Sequence, residues 1–334
     1  MPRFSPPWRL ATRGFDSVLT PQQHRFARYS WGTLWATVLV ILWGAVVRAT
    51  GSGAGCGSHW PLCNGEIVPL SPGWSTLIEF GHRATSGIDL LLVVGLVWGA
   101  RRTYPSGSPV RAAAMASLIV MILEALLGAG LVLLEYVADN KELARGWWVG
   151  GHLLNTYLLL LVLTWTAYLA SGGKSFTFRS WLGLRLALVL FWVSALGMTG
   201  ALTALGDTLF PAEDLASGTA MTFSPDSHLF VRLRIWHPIM AVLTGVVLLA
   251  TIWPTSMRVN AEPVSRLALY LLVLFFGQMA LGLLNLWLLA PVWLQVIHLF
   301  MADLIWIALI LFAAEALSRE VPPPASQLAS PSAS

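Results

Sequence analysis

The chain has 334 residues, of which 56% are hydrophobic and 11% charged, with a formal net charge of +4. A water-soluble domain carries about 25% charged residues, so this composition excludes a soluble globular protein and points to an integral membrane protein. The 20 Lys and Arg residues are dispersed rather than gathered into a patch, which excludes a nucleic-acid partner.

In chain order, residues 1–29 are polar, basic and proline-containing, without the early apolar region and cleavage site of a secretory signal, and are expected to form an uncleaved cytoplasmic tail. Apolar runs long enough to cross a bilayer of about 30 Å, which takes ~20 residues each, follow at 30–50, 79–100, 112–134, 147–170, 183–205, 233–253, 266–289 and 292–315. They are continuous rather than alternating, so a barrel is excluded and eight transmembrane helices are expected. With the N-terminus inside, 14 basic residues fall on inner segments, Arg3, Arg9, Arg13 and Arg179 among them. Only six, Arg48, Arg83, Lys141, Arg145, Arg232 and Arg234, fall on outer segments, which places both termini in the cytoplasm. Residues 316–334 are rich in proline and serine and are expected to be disordered.

The eight runs fall into two similar halves. "GAVVRATGSG" at 44–53 resembles "GMTGALTALG" at 197–206, and "EALLGAGLVLL" at 124–134 resembles "QMALGLLNLWL" at 278–288, at offsets of 153 and 154. "EFGHR" at 79–83 and "RIWHP" at 234–238 lie 155 apart, and "GGHLLN" at 150–155 corresponds to "QVIHLF" at 295–300 at an offset of 146. Four matches in one order imply two pseudo-repeated four-helix bundles, parallel because four crossings return the chain to its starting side. The expected organisation is an N-terminal bundle at 30–170 with an outer loop at 51–78, an inner linker at 171–182, and a C-terminal bundle at 183–315.

The repeat carries a histidine near the start of each even-numbered helix: His82, His152, His237 and His298. Three to six residues into their expected helices, they would lie roughly 5–9 Å below the outer surface. A lone histidine at such a depth reads as an interfacial hydrogen-bonding residue. Four at repeated positions, two per bundle, suit the holding of a haem iron from both sides. Zinc is the competing metal, although no carboxylate recurs beside the histidines in both halves. Gly81, Gly87, Gly150, Gly151 and Gly282 would let a flat macrocycle or a neighbouring helix approach closely. His24, His59 and His228 read as tail and loop residues.

The halves differ around these histidines. Glu79 stands one turn before His82 on the same helix face, with Arg83 beside it, where the second half has Arg234 and Pro238; Arg48 corresponds to Ala201. The only two cysteines, Cys56 and Cys63, lie in the first half, in "VVRATGSGAGCGSHWPLCNG" at 46–65. Glu79 reads either as part of a reactive site or as a helix-start carboxylate. Arg48 reads as an interfacial anchor or, with Arg83, as a partner for haem propionates. Asp89, Glu124 and Asp303 are costly within the membrane and read as interhelical hydrogen-bonding groups or proton carriers.

The run "VRATGSGAGCGSHWPLCNG", the motif "EFGHR" and the three further helix-start histidines resemble the haem A synthase family over residues 30 to 315. The resemblance implies an eight-helix oxidoreductase that converts the C8 methyl of haem O to a formyl group in two hydroxylation steps, giving haem A for terminal oxidase assembly. It implies that His237 and His298 ligate a resident haem b, that His82 and His152 hold the substrate haem, that Glu79 is the required acid, and that Cys56 and Cys63 match a pair able to form a disulfide. Some relatives carry a second cysteine pair in the other large outer loop, which this sequence lacks. Partners implied are haem O, a haem O synthase, terminal oxidase assembly factors, membrane lipid and an unnamed electron donor or acceptor, with self-association left open. The expected location is the inner or plasma membrane, with the haem sites toward the outer side. There the cysteine loop would form a lid with Arg48 at its root and the thiols as a redox relay. Other readings are a membrane cytochrome b that only carries electrons, and a haem transporter or chaperone.

Overall fold

A computed structural model describes residues 19–175 and 180–320; Arg3, Arg9, Arg13, Arg179 and the expected C-terminal tail from 321 onward lie outside the described residues. The chain is all helical there, and eight helices are long and apolar enough to cross a membrane. These are α1 (Pro21–Ala49), α2 (Trp74–Thr103), α3 (Pro109–Leu133), α4 (Leu143–Ala170) and α5 (Trp181–Leu209), followed after two short helices by α8 (Trp236–Val259), α9 (Glu262–Trp287) and α10 (Val292–Glu320). The short ones are α6 (Leu215–Phe223) and α7 (Leu229–Arg232), the latter running through a tight turn at Leu233–Ile235 into α8.

Several helices begin earlier than their apolar runs. Helix α1 starts nine residues before position 30 because Thr20 and Gln23 form a capping box and Pro21 occupies the first turn. Residues 21–29, expected as tail, are therefore helix. Ser108 with Pro109 and Ser180 start α3 and α5 in the same way. Hydropathy marks the lipid-facing length of a helix, whereas caps mark its ends, and a span of 29 residues reaches about 43 Å, far enough to cross the headgroups as well. Helix α6, closed by an Asp214–Ser217 capping box, has no counterpart among the expected elements.

Packing follows chain order. Helix α1 touches α2 and α4, and α3 touches α2 and α4, which closes a ring of four; α5, α8, α9 and α10 close a second ring in the same neighbour order. Helices α1 and α4 of one ring meet α5 and α10 of the other. The seam is apolar, with Leu159, Leu160 and Leu163 of α4, Leu186 of α5 and Phe312 of α10 fully buried. A cross-link pins it where the Trp306 indole donates to the Tyr157 carbonyl at 2.8 Å. Consecutive spans join at alternate ends, so the starts of α2, α4, α8 and α10 share the end that carries the cysteine loop.

Candidate functional site

All four helix-start histidines lie at that end. Because the helices start early, His82, His152 and His298 stand six to nine residues into them, and His237 stands eight past the start of α7. That is roughly 9–14 Å from the helix start, deeper than the 5–9 Å expected from hydropathy.

Each imidazole rests on a glycine of the preceding spanning helix. A Cβ built on Gly44 would come within 3.0 Å of His82, on Gly128 within 3.8 Å of His152, on Gly200 within 2.9 Å of His237, and on Gly282 within 3.4 Å of His298. At Gly44 and Gly200 the approach is one that only a missing side chain permits, whereas at Gly128 and Gly282 a Cβ would make ordinary contact with the ring. Gly44 and Gly200 were not among the small residues expected at the site. The repeat contained the signal, but aligning Gly44 with Gly197 hid it: Gly197 faces Tyr157, and the counterpart on His237 is three residues further on.

The rings pair within bundles. His237 and His298 have centroids 6.3 Å apart and planes at 78°. A metal held between two imidazoles needs ~2.0 Å to each nitrogen and about 1 Å more to each ring centre, roughly 6 Å in all, so the C-terminal pair has the right span. Nδ1 of His82, of His152 and of His298 is buried without a hydrogen-bond partner, as suits rings available to turn toward a metal. Among the described residues no group of three or more His, Cys, Asp or Glu could hold a metal ion, which does not fit a closed zinc site with four protein ligands. Two axial imidazoles per centre fit a haem iron, whose other four ligands come from the macrocycle.

What edges the rings differs. Nδ1 of His152 is 3.5 Å from an oxygen of Glu124, which also accepts from the Asn155 amide at 2.6 Å and from the Thr156 hydroxyl. His298 meets the amide of Gln278 at 3.2 Å, and His237 meets the Thr199 hydroxyl at 3.2 Å.

The cysteine loop and Glu79 form one unit. Cys56 and Cys63 are joined as a disulfide with Cα atoms 4.4 Å apart, and both are almost wholly buried. The Cys56 N–H donates to Glu79 at 2.8 Å. The opposite carboxylate oxygen takes two donors from Arg83, at 3.1 and 2.5 Å, and Arg83 also donates to the carbonyls of His59 and Leu62 in the loop. Gly55 lies directly against the backbone of Ser75 and Thr76, and its carbonyl accepts from Thr76 at 2.8 Å, so the loop seats on the first turn of α2. Glu79 is only 3% exposed. Its two oxygens are met by three protein donors, as a buried carboxylate requires.

The two arginines expected at propionates each make several contacts within the protein. Arg83 is committed to Glu79 and the loop. Arg48 crosses to the second bundle, where it donates to the Ala204 carbonyl and Thr208 hydroxyl of α5, both at 2.9 Å, and to Gln295 of α10 at 2.8 Å. In the second bundle Arg234 pairs with Asp207 at 2.8 Å and donates to the carbonyls of Gly206 and Phe210. His59 is a loop residue, as expected, and His228 caps α7 between Phe210 and Phe230, whereas His24 lies in the first turns of α1.

Comparison with known proteins gives the family. The family described as cytochrome oxidase assembly protein (COX15-CtaA) matches residues 27–310. The chain belongs to this family. Among curated relatives, the protein named protoheme IX farnesyltransferase from Thermus thermophilus is 45% identical over 302 residues, 90% of this chain and 50% of that protein. The protein named heme A synthase from Alkalihalophilus pseudofirmus is 35% identical over 139 residues, 42% of this chain and 46% of that protein. Another heme A synthase, from Shouchella clausii, is 44% identical over 96 residues, 28% of this chain and 32% of its own length. The chain thus spans half or less of the length of these relatives. As a member of the cytochrome oxidase assembly family with eight apolar spans, it is a multi-pass membrane protein.

Proposed function

We propose that the chain is a haem A synthase, oxidising the C8 methyl of haem O to a formyl group in two hydroxylation steps. The observation that carries this reading is the inequality of two like-built histidine pairs: only one has a sealed carboxylate and a disulfide loop beside it. Pure electron transfer would need neither. On this reading His82 and His152 hold the substrate haem, and His237 and His298 hold a resident haem b. Haem b, when bound, supplies one-electron chemistry. The bundles act as separate domains, both termini face the cytoplasm and the histidines face the outer side of the inner or plasma membrane, as the distribution of Lys and Arg supports.

The residues of this chain then bind, orient and polarise. The cysteine loop seats on α2 and covers Glu79 from water. Three donors fix the Glu79 carboxylate one turn from His82, which suits a stationary negative charge that stabilises positive charge developing at the reacting carbon better than a mobile proton carrier. Arg48 and Arg83 serve as ties, one between bundles and one between helix and loop. The farnesyl transfer named for the Thermus relative belongs, on this reading, to the half of that protein that this chain does not match. Haem O, a haem O synthase and oxidase assembly factors are the partners that follow.

Haem extraction from the purified chain, with separation by mass, tests this. Haem B together with haem O or haem A is the expected result. Haem B alone would favour an electron-carrying cytochrome, haem returned unaltered from a supplied haem O pool would favour a transporter, and absence of any haem would overturn the reading.

A further inference from the structure

Helices α3 and α9 present the same frame to the histidine of the helix that follows. On α3, Glu124 and, one turn later, Gly128 both face His152, at 3.5 and 3.8 Å. On α9, Gln278 and, one turn later, Gly282 both face His298, at 3.2 and 3.4 Å. Glutamate and glutamine have the same length and shape, so the frames place like-shaped groups of different charge. His152 meets Glu124 through Nδ1, whereas His298 meets Gln278 through Nε2; what the two frames share is a carboxamide-shaped group at the edge of the ring.

Glu124 is held for this position. Asn155 and Thr156, the third and fourth residues after His152, both donate to it, and Thr156 also bonds the His152 carbonyl at 2.9 Å. Gln278, in contrast, leaves its Oε1 buried without a partner. The other two histidines have no charged neighbour of this kind, since His237 meets a threonine hydroxyl and Nδ1 of His82 meets nothing. One imidazole in four therefore has a carboxylate oxygen near its edge, 3.5 Å from a Nδ1 that has no hydrogen-bond partner, so that a small shift of the ring would complete the bond. A carboxylate that accepts from the N–H of a metal-bound imidazole makes the ring a stronger donor and fixes its orientation, and it favours the more oxidised state of the metal. A neutral amide does this far less.

We propose that Glu124 is a positioning residue that tunes the first-bundle iron through His152, holding it at a lower reduction potential than the second-bundle iron beside Gln278. The proposal rests on the assignment of His152 as a haem ligand. It divides the labour physically: the centre that must support oxidation of a methyl group has its oxidised state stabilised, while the neutral centre is suited to taking and passing electrons.

The test exchanges the charge. Full-length protein carrying E124Q, Q278E or E124D is purified with its haems, and midpoint potentials and low-temperature electron paramagnetic resonance spectra are recorded for each centre. E124Q is expected to raise the first-bundle midpoint and change its ferric signal while the second stays put; Q278E should lower the second-bundle midpoint and leave the first alone; E124D should return the first toward its native value. Loss of the outer partner typically weakens metal retention by about 10–100-fold, so E124Q should also retain less haem. Should E124Q lose the first-bundle haem altogether, Q278E still reads the effect in the other bundle, and an unmoved second midpoint there overturns the proposal. Unmoved midpoints in all three variants at native haem content also overturn it and leave the proposed function intact. Wild-type protein without haem would instead strike the proposed function itself.

Discussion

In the first bundle a carboxylate edges His152 and a second, Glu79, stands sealed beneath the cysteine loop one turn before His82; in the second, Gln278 and Thr199 edge the histidines, and the nearby acid, Asp207, is paired with Arg234. The glycine beneath each ring is common to both. What the comparison teaches is that the glycine frame beneath the rings is repeated in both bundles, whereas the carboxylates beside the histidines are not. A carboxylate buried in a membrane protein is costly unless its oxygens are met. Glu79 has three donors and Glu124 has two beyond His152. Charges without a function would not be expected to bring such partners with them.

The largest effect that could break the comparison comes from removing a histidine in each bundle. His82→Ala should lose the substrate haem and keep haem B, and His237→Ala should lose haem B, as read by haem extraction; the reverse pattern would exchange the roles of the bundles. Next, Glu79→Gln should retain both histidine sites and haem B while haem O or its alcohol accumulates, followed by mass. A normal yield of haem A would remove Glu79 from the chemistry.

A smaller and purely steric effect sharpens what the bundles share. Gly200→Ala would set a methyl group 2.9 Å from the His237 ring, and Gly44→Ala would do nearly the same to His82; overpacking of this kind costs about 1–3 kcal/mol. Each variant should loosen haem in its own bundle alone, seen as a lowered thermal midpoint and a selective loss on extraction. Smallest is the loss of the disulfide. Closure of so short a ring stabilises by about 2 kcal/mol, so Cys56→Ser with Cys63→Ser should lower the thermal midpoint modestly. Turnover should fall further than stability, because the Cys56 N–H holds Glu79; unchanged turnover and stability would leave the loop without either role.

The sequence by itself determined the class of fold, the eight spans, the four histidines and the unequal halves, because hydropathy over ~20 residues is dictated by bilayer thickness and histidine is conspicuous against an apolar background. It also singled out Glu79 and both cysteines, through rarity and spacing. Only the tertiary structure decided where helices begin, since a capping box such as Thr20–Gln23 adds polar turns that hydropathy does not register. Only the structure supplied Gly44 and Gly200, whose importance lies in what they face across an interhelical gap, and a three-residue shift between the halves concealed the match. Glu124 and Gln278 could be aligned in the sequence, but their place at the histidine edge is a property of packed helices. Arg48 and Arg83 show the limit most clearly: the sequence revealed two buried-end cations, and their partners, a neighbouring bundle 156 to 247 residues away and a loop folded back on α2, exist only once the chain has folded.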